Sequence, residues 1–317
     1  MTAYTAQHPR PDHFLIHLSD THLVAGDGPL YGAVDSEAQL RRLFAEIELG
    51  GAHPEAIVIT GDLADTGERA AYAKLKSIVE PAAARLGTQV IWVMGNHDDR
   101  QNFRSELLGQ VPSSAPVDRV YDLNGLRLIV LDSTVPGEHH GLVTDAQLDW
   151  LAEELASSAP HGSIIAMHHP PVPTVQDLAI MVELREQDSL AEVIRGSDVR
   201  SIIAGHLHYS TTAMFAGVPV SVASATCYTQ DIVLPGTRAR DGAQAFNLVH
   251  VYDQTVMHSV VPVGRYAEVS YVTPAETARI LAASGVVIPL SAAPPVTDPV
   301  AQVGDELTAP SWELESV

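Results

Sequence analysis

The sequence is poor in positive charge and almost without cysteine. Lysine occurs twice, at Lys74 and Lys76, and with the arginines it makes 18 basic residues against 39 acidic ones, a formal charge of −21. A surface of that sign repels polyanions, so nucleic-acid binding and attachment to an anionic membrane are both disfavoured. The single cysteine, Cys227, excludes an intrachain disulfide framework and any zinc site built on thiolates. Within its apolar, hydroxyl-rich stretch it reads as a small buried residue. No apolar run approaches the roughly 20 residues that cross a bilayer, so no transmembrane segment is expected. The first residues do not lead from a basic stretch into an apolar one, as a secretory signal does. These absences point to a cytoplasmic protein.

What the chain does have is a hydrophobic fraction of 46%, a charged fraction of 18% and 317 residues, enough for one large domain or two modest ones. Five short apolar runs rich in β-branched residues read as buried strands: Phe14–Leu18, Ala56–Ile59, Val90–Met94, Ile164–Met167 and Ser201–Ala204. Segments of helical period lie between them. Ser36-Glu-Ala-Gln39 and Thr144-Asp-Ala-Gln147 look like capping boxes, and a helix carrying Tyr72, Leu75 and Val79 is expected to kink or end near Pro81. Asn124-Gly125 signals a hairpin. After about residue 210 strands follow without helices, which suggests a second, mostly antiparallel sheet. The division expected is an N-terminal tail over 1–12, a domain over 13–265, and a short helix with a Pro/Ala-rich tail over 266–317.

Each buried strand runs into a polar motif. In order these are Ser19-Asp20-Thr21-His22, Gly61-Asp62, Gly95-Asn96-His97-Asp98-Asp99, His168-His169-Pro170 and Gly205-His206-Leu207-His208. If the strands are largely parallel, their carboxyl ends share one sheet edge, and all five motifs meet there. Residues two apart in extended chain point the same way, so Asp20 with His22, and His206 with His208, can each aim at one locus. Carboxylate, imidazole and amide donors without thiolate suit borderline or hard divalent ions. Seven candidates (Asp20, His22, Asp62, Asn96, His168, His206 and His208) exceed the needs of one ion with open positions. Two ions sharing a carboxylate is the economical arrangement. Of the remaining histidines, His17, His250 and His258 read as structural, His169 as a support for the backbone before Pro170, and the His139-His140 loop as a candidate lining of the substrate pocket.

The ordered set Asp20-Thr-His22, Gly61-Asp62, Gly95-Asn96-His97-Asp98, His168 and Gly205-His206-Leu-His208 resembles the calcineurin-like metallophosphoesterases. Flanking stretches such as Leu30-Tyr-Gly-Ala-Val-Asp35 and Val222-Ala-Ser-Ala-Thr-Cys-Tyr-Thr-Gln-Asp231 are similar to class III cyclic-nucleotide phosphodiesterases, the mycobacterial ones above all. The resemblance implies an α/β (α+β layered) fold, a four-layer αββα sandwich of the metallo-dependent phosphatase type. It places Asp20, His22, Asp62 and His208 on a first metal, iron, and Asp62, Asn96, His168 and His206 on a second, manganese or zinc, with Asp62 bridging. It further implies a homodimer that hydrolyses 3′,5′-cyclic nucleotides, cAMP and with it cGMP, to nucleoside 5′-monophosphates. Two cations can clamp a phosphodiester, acidify water between them and stabilise an in-line transition state. His97, which has no metal role in the pattern, is expected to contact the phosphate or protonate the leaving 3′-oxygen. Asn96, His140 and His208 are the other expected substrate contacts, and Asp65 and Asp99 are expected to orient imidazoles. The motifs themselves leave open other small diesters, such as 2′,3′-cyclic nucleotides or nucleotide-sugar lipids, and a scaffold that has lost catalysis.

Overall fold

The structure is a computed structural model and describes residues 4–291; the end of the expected tail, 292–317, lies outside the described residues. A short strand β1 (Tyr4–Thr5) precedes β2 (His13–Leu18), α1 (Ser36–Leu49), β3 (Ala56–Thr60), α2 (Arg69–Leu86), β4 (Gln89–Val93) and α3 (Arg100–Glu106). The hairpin β5 (Arg119–Leu123) and β6 (Leu126–Val130) turns at Asn124-Gly125, both with positive φ. Then come α4 (Asp145–Leu155), β7 (Ser163–Ala166), a 3₁₀ turn over Asp177–Val182, α5 (Gln187–Ile194), β8 (Val199–Ala204), β9 (Thr211–Phe215) and β10 (Val218–Val222). The remainder is β11 (Thr229–Gln230), β12 (Ala239–Arg240), β13 (Ala245–Tyr252), β14 (Thr255–Pro262), α6 (Pro274–Ala283) and β15 (Val286–Val287), which pairs in parallel with β1.

Two large sheets result, in the orders β14-β13-β2-β3-β4 and β5-β6-β7-β8-β10-β9, beside the two-strand pairs β1-β15 and β11-β12. The five strands that precede the motifs are therefore divided: β2, β3 and β4 run parallel in one sheet, β7 and β8 in the other. Among the later strands only the short β11 and β12 pair by themselves. β9 and β10 extend the second sheet, and β13 and β14 extend the first.

Strand alternation builds the layers. Phe14, Ile16 and Leu18 face out to meet Leu40, Phe44, Tyr72 and Leu75 of α1 and α2, while Leu15 joins Val58, Ile91, Leu128, Ile164 and Ile203 between the sheets. On the far side α4 and α5 cover Ile129, Ile165 and Ile202. Helix, sheet, sheet, helix is the four-layer sandwich expected. His17 and His258 sit in this region, bonded to Thr60 and Ser201, and burial holds them neutral by lowering their pKa to about 3 and about 4.

Two local expectations change. Asp35, not Ser36, caps α1, its carboxylate accepting from Ala38 N at 2.9 Å. Helix α2 runs through Pro81 without ending, because Pro81 lies on the exposed face, where water can serve the carbonyl that proline leaves without a donor. Thr144 forms the expected capping box with Gln147.

Candidate metal centre

The carboxyl ends of β2, β3 and β4 meet those of β7 and β8 at one edge of the sandwich, and the seven candidate residues converge there from both sheets. Close backbone approach makes this possible. Asp20 N donates to Gly61 O and His22 N to Asp62 O, which zips the first two loops together. Asp98 accepts from the amides of Gly95, Leu63 and Ala64 and from the Tyr72 hydroxyl, which ties the β3 loop to the β4 loop. Burial, then the nearby Asp62, pushes the Asp98 carboxyl up to about 6. The motif glycines are spacers: a Cβ on Gly61 would lie 2.4 Å from His168 Nδ1, and one on Gly205 would lie 1.7 Å from Ser19 Oγ.

Each imidazole donates outward and turns its other nitrogen inward. His168 Nδ1 donates to Thr60 O, His208 Nδ1 to Tyr228 O, His22 Nδ1 to Asp65 Oδ1, and His206 Nε2 to Val182 O. The inward atoms face acceptors. Asp62 Oδ2 is 3.4 Å from His22 Nε2 and 3.3 Å from His168 Nε2; Asp20 Oδ1 is 3.3 Å from His208 Nε2. Asn96 Oδ1 and His206 Nδ1 each stand 3.2 Å from His168 Nε2. Donor atoms gathered this closely around carboxylate oxygens call for positive charge among them, from a metal ion or a proton. His22 Nε2 is buried with no hydrogen-bond partner. The donor set fits a pair of metal ions, and Asp62, which faces imidazoles from both sheets, is the residue that would serve both.

Titration tells the same story. Burial would lower the His22 pKa, yet the neighbouring carboxylates of Asp62 and Asp65 raise it to about 10. His168, against the same burial, is raised to about 9 by the Asp62 carboxylate. His206 goes the other way, to about 3, through burial and the neighbouring His168. The cluster draws positive charge beside Asp62.

The backbone adds a feature that residue types do not announce. Asp20, His22, Asp62, His206 and His208 all have φ between 41° and 72°, five of the ten non-glycine residues in the left-handed region among the described residues. Such conformations cost of order 1–3 kcal/mol each and gather at functional sites.

Around this centre some expectations move. Asp65 orients His22 as expected, but Asp99 orients no imidazole, because its carboxylate caps α3 by accepting from Asn102 N. His139, not its neighbour His140, lines the recess over the centre, with Asn96 Nδ2 at 3.1 Å; His140 Nδ1 instead stands 3.8 Å from Glu138. His169 has both ring nitrogens engaged, with Ser133 Oγ and His139 O, and so supports the loop. Cys227 is buried near His22 and His208, but burial pushes its thiol far up and keeps it protonated. Tyr209 packs into the apolar core under the second sheet.

The His139 loop hangs on a buried ion pair, Arg100 Nε to Asp132 at 2.9 Å, with Arg100 donating on to Thr134 O. Beneath it Asp118 accepts from Asp132 N and Gln147 Nε2, and burial pushes its carboxyl from 3.8 up to about 6. A carboxyl raised in the folded state binds its proton more tightly there, so it weakens the fold above pH 6, and the penalty disappears as pH falls towards the unfolded value. Asp118→Asn, which keeps the acceptor, is expected to raise the melting temperature at about pH 8 and to leave it unchanged at about pH 4, by circular dichroism.

A model of the family described as calcineurin-like phosphoesterase matches residues 15–210. The chain belongs to the calcineurin-like phosphoesterases. Within this family it is 61% identical over 289 residues to a probable cyclic nucleotide phosphodiesterase of Rhodococcus erythropolis, covering 90% of this chain and 96% of the relative. It is 59% identical over 286 residues to the cAMP/cGMP dual specificity phosphodiesterase of Mycobacterium tuberculosis, covering 89% and 90%. A dimetal phosphatase from Danio rerio, 16% identical, superposes with a TM-score of 0.56 over 80% of this chain and 100% of its own, a likeness of fold. As a calcineurin-like phosphoesterase the protein carries a dimetal site with histidine and aspartate donors. Among the described residues no helix is long and apolar enough to cross a membrane.

Proposed function

We propose that the chain is a dimetal phosphodiesterase that hydrolyses 3′,5′-cyclic nucleotides, cAMP and cGMP, to nucleoside 5′-monophosphates. The observation that carries this reading is the convergence of inward-facing donors from five loops on one open recess, in a chain with relatives named for cyclic-nucleotide hydrolysis. Asp20, His22, Asp62 and His208 would hold one ion and Asp62, Asn96, His168 and His206 the other. Iron at the first position and manganese or zinc at the second rest on the family likeness, and the mixed oxygen and nitrogen donors suit such ions. A homodimer and a cytoplasmic location belong to the same proposal.

When bound, the two ions supply Lewis acidity, which offsets phosphate charge and makes a nucleophile of water near neutral pH. The chain's own residues do the rest. His97 N donates to Asp62 Oδ1 and so fixes the shared carboxylate. His97 Nδ1 is tied to Asp65 O at 2.7 Å, which leaves Nε2 as the ring atom able to bind the phosphate or to protonate the departing 3′-oxygen. Asn96 and His208 lie beside it in the recess, and His139 takes the pocket position expected of His140.

His97→Ala is expected to retain both metals and to lose roughly 10²–10⁴-fold in turnover, the usual contribution of a positioned acid. Metal content and kcat measured on one preparation check this; loss of metal would make His97 a support of the centre instead. The reading as a whole is tested by a substrate panel on metal-loaded enzyme: 3′,5′-cyclic AMP and GMP, the 2′,3′-cyclic isomers and glycerophosphodiesters. Preference for the 3′,5′ compounds is expected, and a preference for either other class overturns the substrate assignment.

A further inference from the structure

Two residues that line the recess, Tyr228 and Gln230, have side chains with no part in holding the metals or in moving a proton; Tyr228 serves the centre only through its backbone O, which accepts from His208 Nδ1. The Tyr228 ring lies 4.3 Å from that of His208 and 5.8 Å from that of Tyr31, centroid to centroid. Tyr31 is 63% exposed, so packing does not account for its place. It is nonetheless held by a left-handed backbone, φ 50°, which bulky residues rarely adopt, and its hydroxyl donates to Asp65 Oδ1 at 2.8 Å. The result is a braced aromatic wall beside the metal centre. Gln230 is fixed through its backbone N, which donates to His208 O, and its side-chain Oε1 is buried with no hydrogen-bond partner. A buried acceptor of this kind is stabilised by any ligand N–H that reaches it.

We propose that Tyr228 and Gln230 form the nucleobase subsite: Tyr228, braced by Tyr31, stacks on a purine ring, and the Gln230 carboxamide pairs with the purine edge. The inference rests on the cyclic-nucleotide reading and adds how the base is chosen. Stacking accepts any base because every base has a π-face. A carboxamide carries an acceptor and a donor side by side. In one orientation it accepts from adenine N6–H and donates to N1; turned by half a revolution it donates to guanine O6 and accepts from N1–H. One side chain thereby admits both purines.

The test measures kcat/KM of the metal-loaded protein for cAMP, cGMP and base-free ribose 3′,5′-cyclic phosphate. Tyr228→Leu and Gln230→Ala are each expected to lose roughly tenfold more on the nucleotides than on the base-free compound, chiefly in KM. Gln230→Glu presents acceptors only, which suit guanine N1–H and N2–H but oppose the adenine N1 lone pair, so the cGMP to cAMP ratio is expected to rise by about tenfold. A ratio unmoved by Gln230→Glu, or equal losses on all three substrates, overturns the subsite. A wild-type protein that turns over neither nucleotide overturns the cyclic-nucleotide reading and the subsite together.

Discussion

Asp62→Asn is expected to cut turnover by about 10³-fold or more, equivalent to at least ~4 kcal/mol at the transition state, while leaving a folded protein. Asp62 Oδ1 accepts from His97 N, and Oδ2 faces His22 Nε2 and His168 Nε2. An asparagine that keeps the first bond puts its NH₂ group where Oδ2 stood. There it donates to the two imidazole lone pairs and satisfies them without any cation. The substitution thus removes a negative charge and the need for positive charge in one step. Metal analysis is expected to show both ions depleted, and the melting temperature in chelator is expected to be no lower than that of wild type. Chelation of the wild type is expected to reproduce the loss of activity, with recovery on adding manganese. An Asp62→Asn protein that keeps two ions and its rate would overturn the shared-carboxylate arrangement.

Gly95→Ala is expected to cost at least about 4 kcal/mol of folding stability, or to prevent folding altogether. A Cβ at this position would lie 2.1 Å from Asp62 N and 2.3 Å from Asp62 Oδ1. The first contact is backbone, which no rotamer change relieves, and Gly95 N is itself bonded to Asp98. Relief requires the ends of β3 and β4 to part, and with them the loops that carry Asp62 and Asn96. Gly26→Ala is the matched control, since a Cβ there meets nothing within 4 Å; its expected effect is within about 0.5 kcal/mol. Urea melts of the two variants give the comparison. Equal stability would mean that the β3 and β4 loops can yield, and that their spacing is not what the glycine secures.

Much of the centre was legible because each proposed ligand follows a buried strand directly, so the apolar run locates the polar residue after it. The division of those strands between two sheets was not, since a short run such as Ile164–Ala166 carries no record of which strand it pairs with. For the same reason β13 and β14 passed for a separate sheet, although β13 completes the first one against β2. The His139-His140 doublet shows a finer limit. Both residues have the same chemistry, and only the turn of an irregular loop decides which one reaches Asn96. Asp98 and Asp99 are the same case: one carboxylate gathers three amides and a tyrosine hydroxyl, the other caps a helix. The left-handed φ angles had no signal at all, because aspartate and histidine stand where glycine would have marked them.

The split of the donors between sheets makes the centre a rivet. Asp20, His22, Asp62 and Asn96 arrive on the β2, β3 and β4 side, His168, His206 and His208 on the β7 and β8 side. Neither half of the chain holds a full set for either proposed ion, so no fragment cut between β4 and β5 can carry the site. Ion binding must come after the two halves have closed on one another during folding. Once in place, the ions would favour the closed pair of sheets over the unfolded chain, so chelation is expected to lower the melting temperature of the wild type.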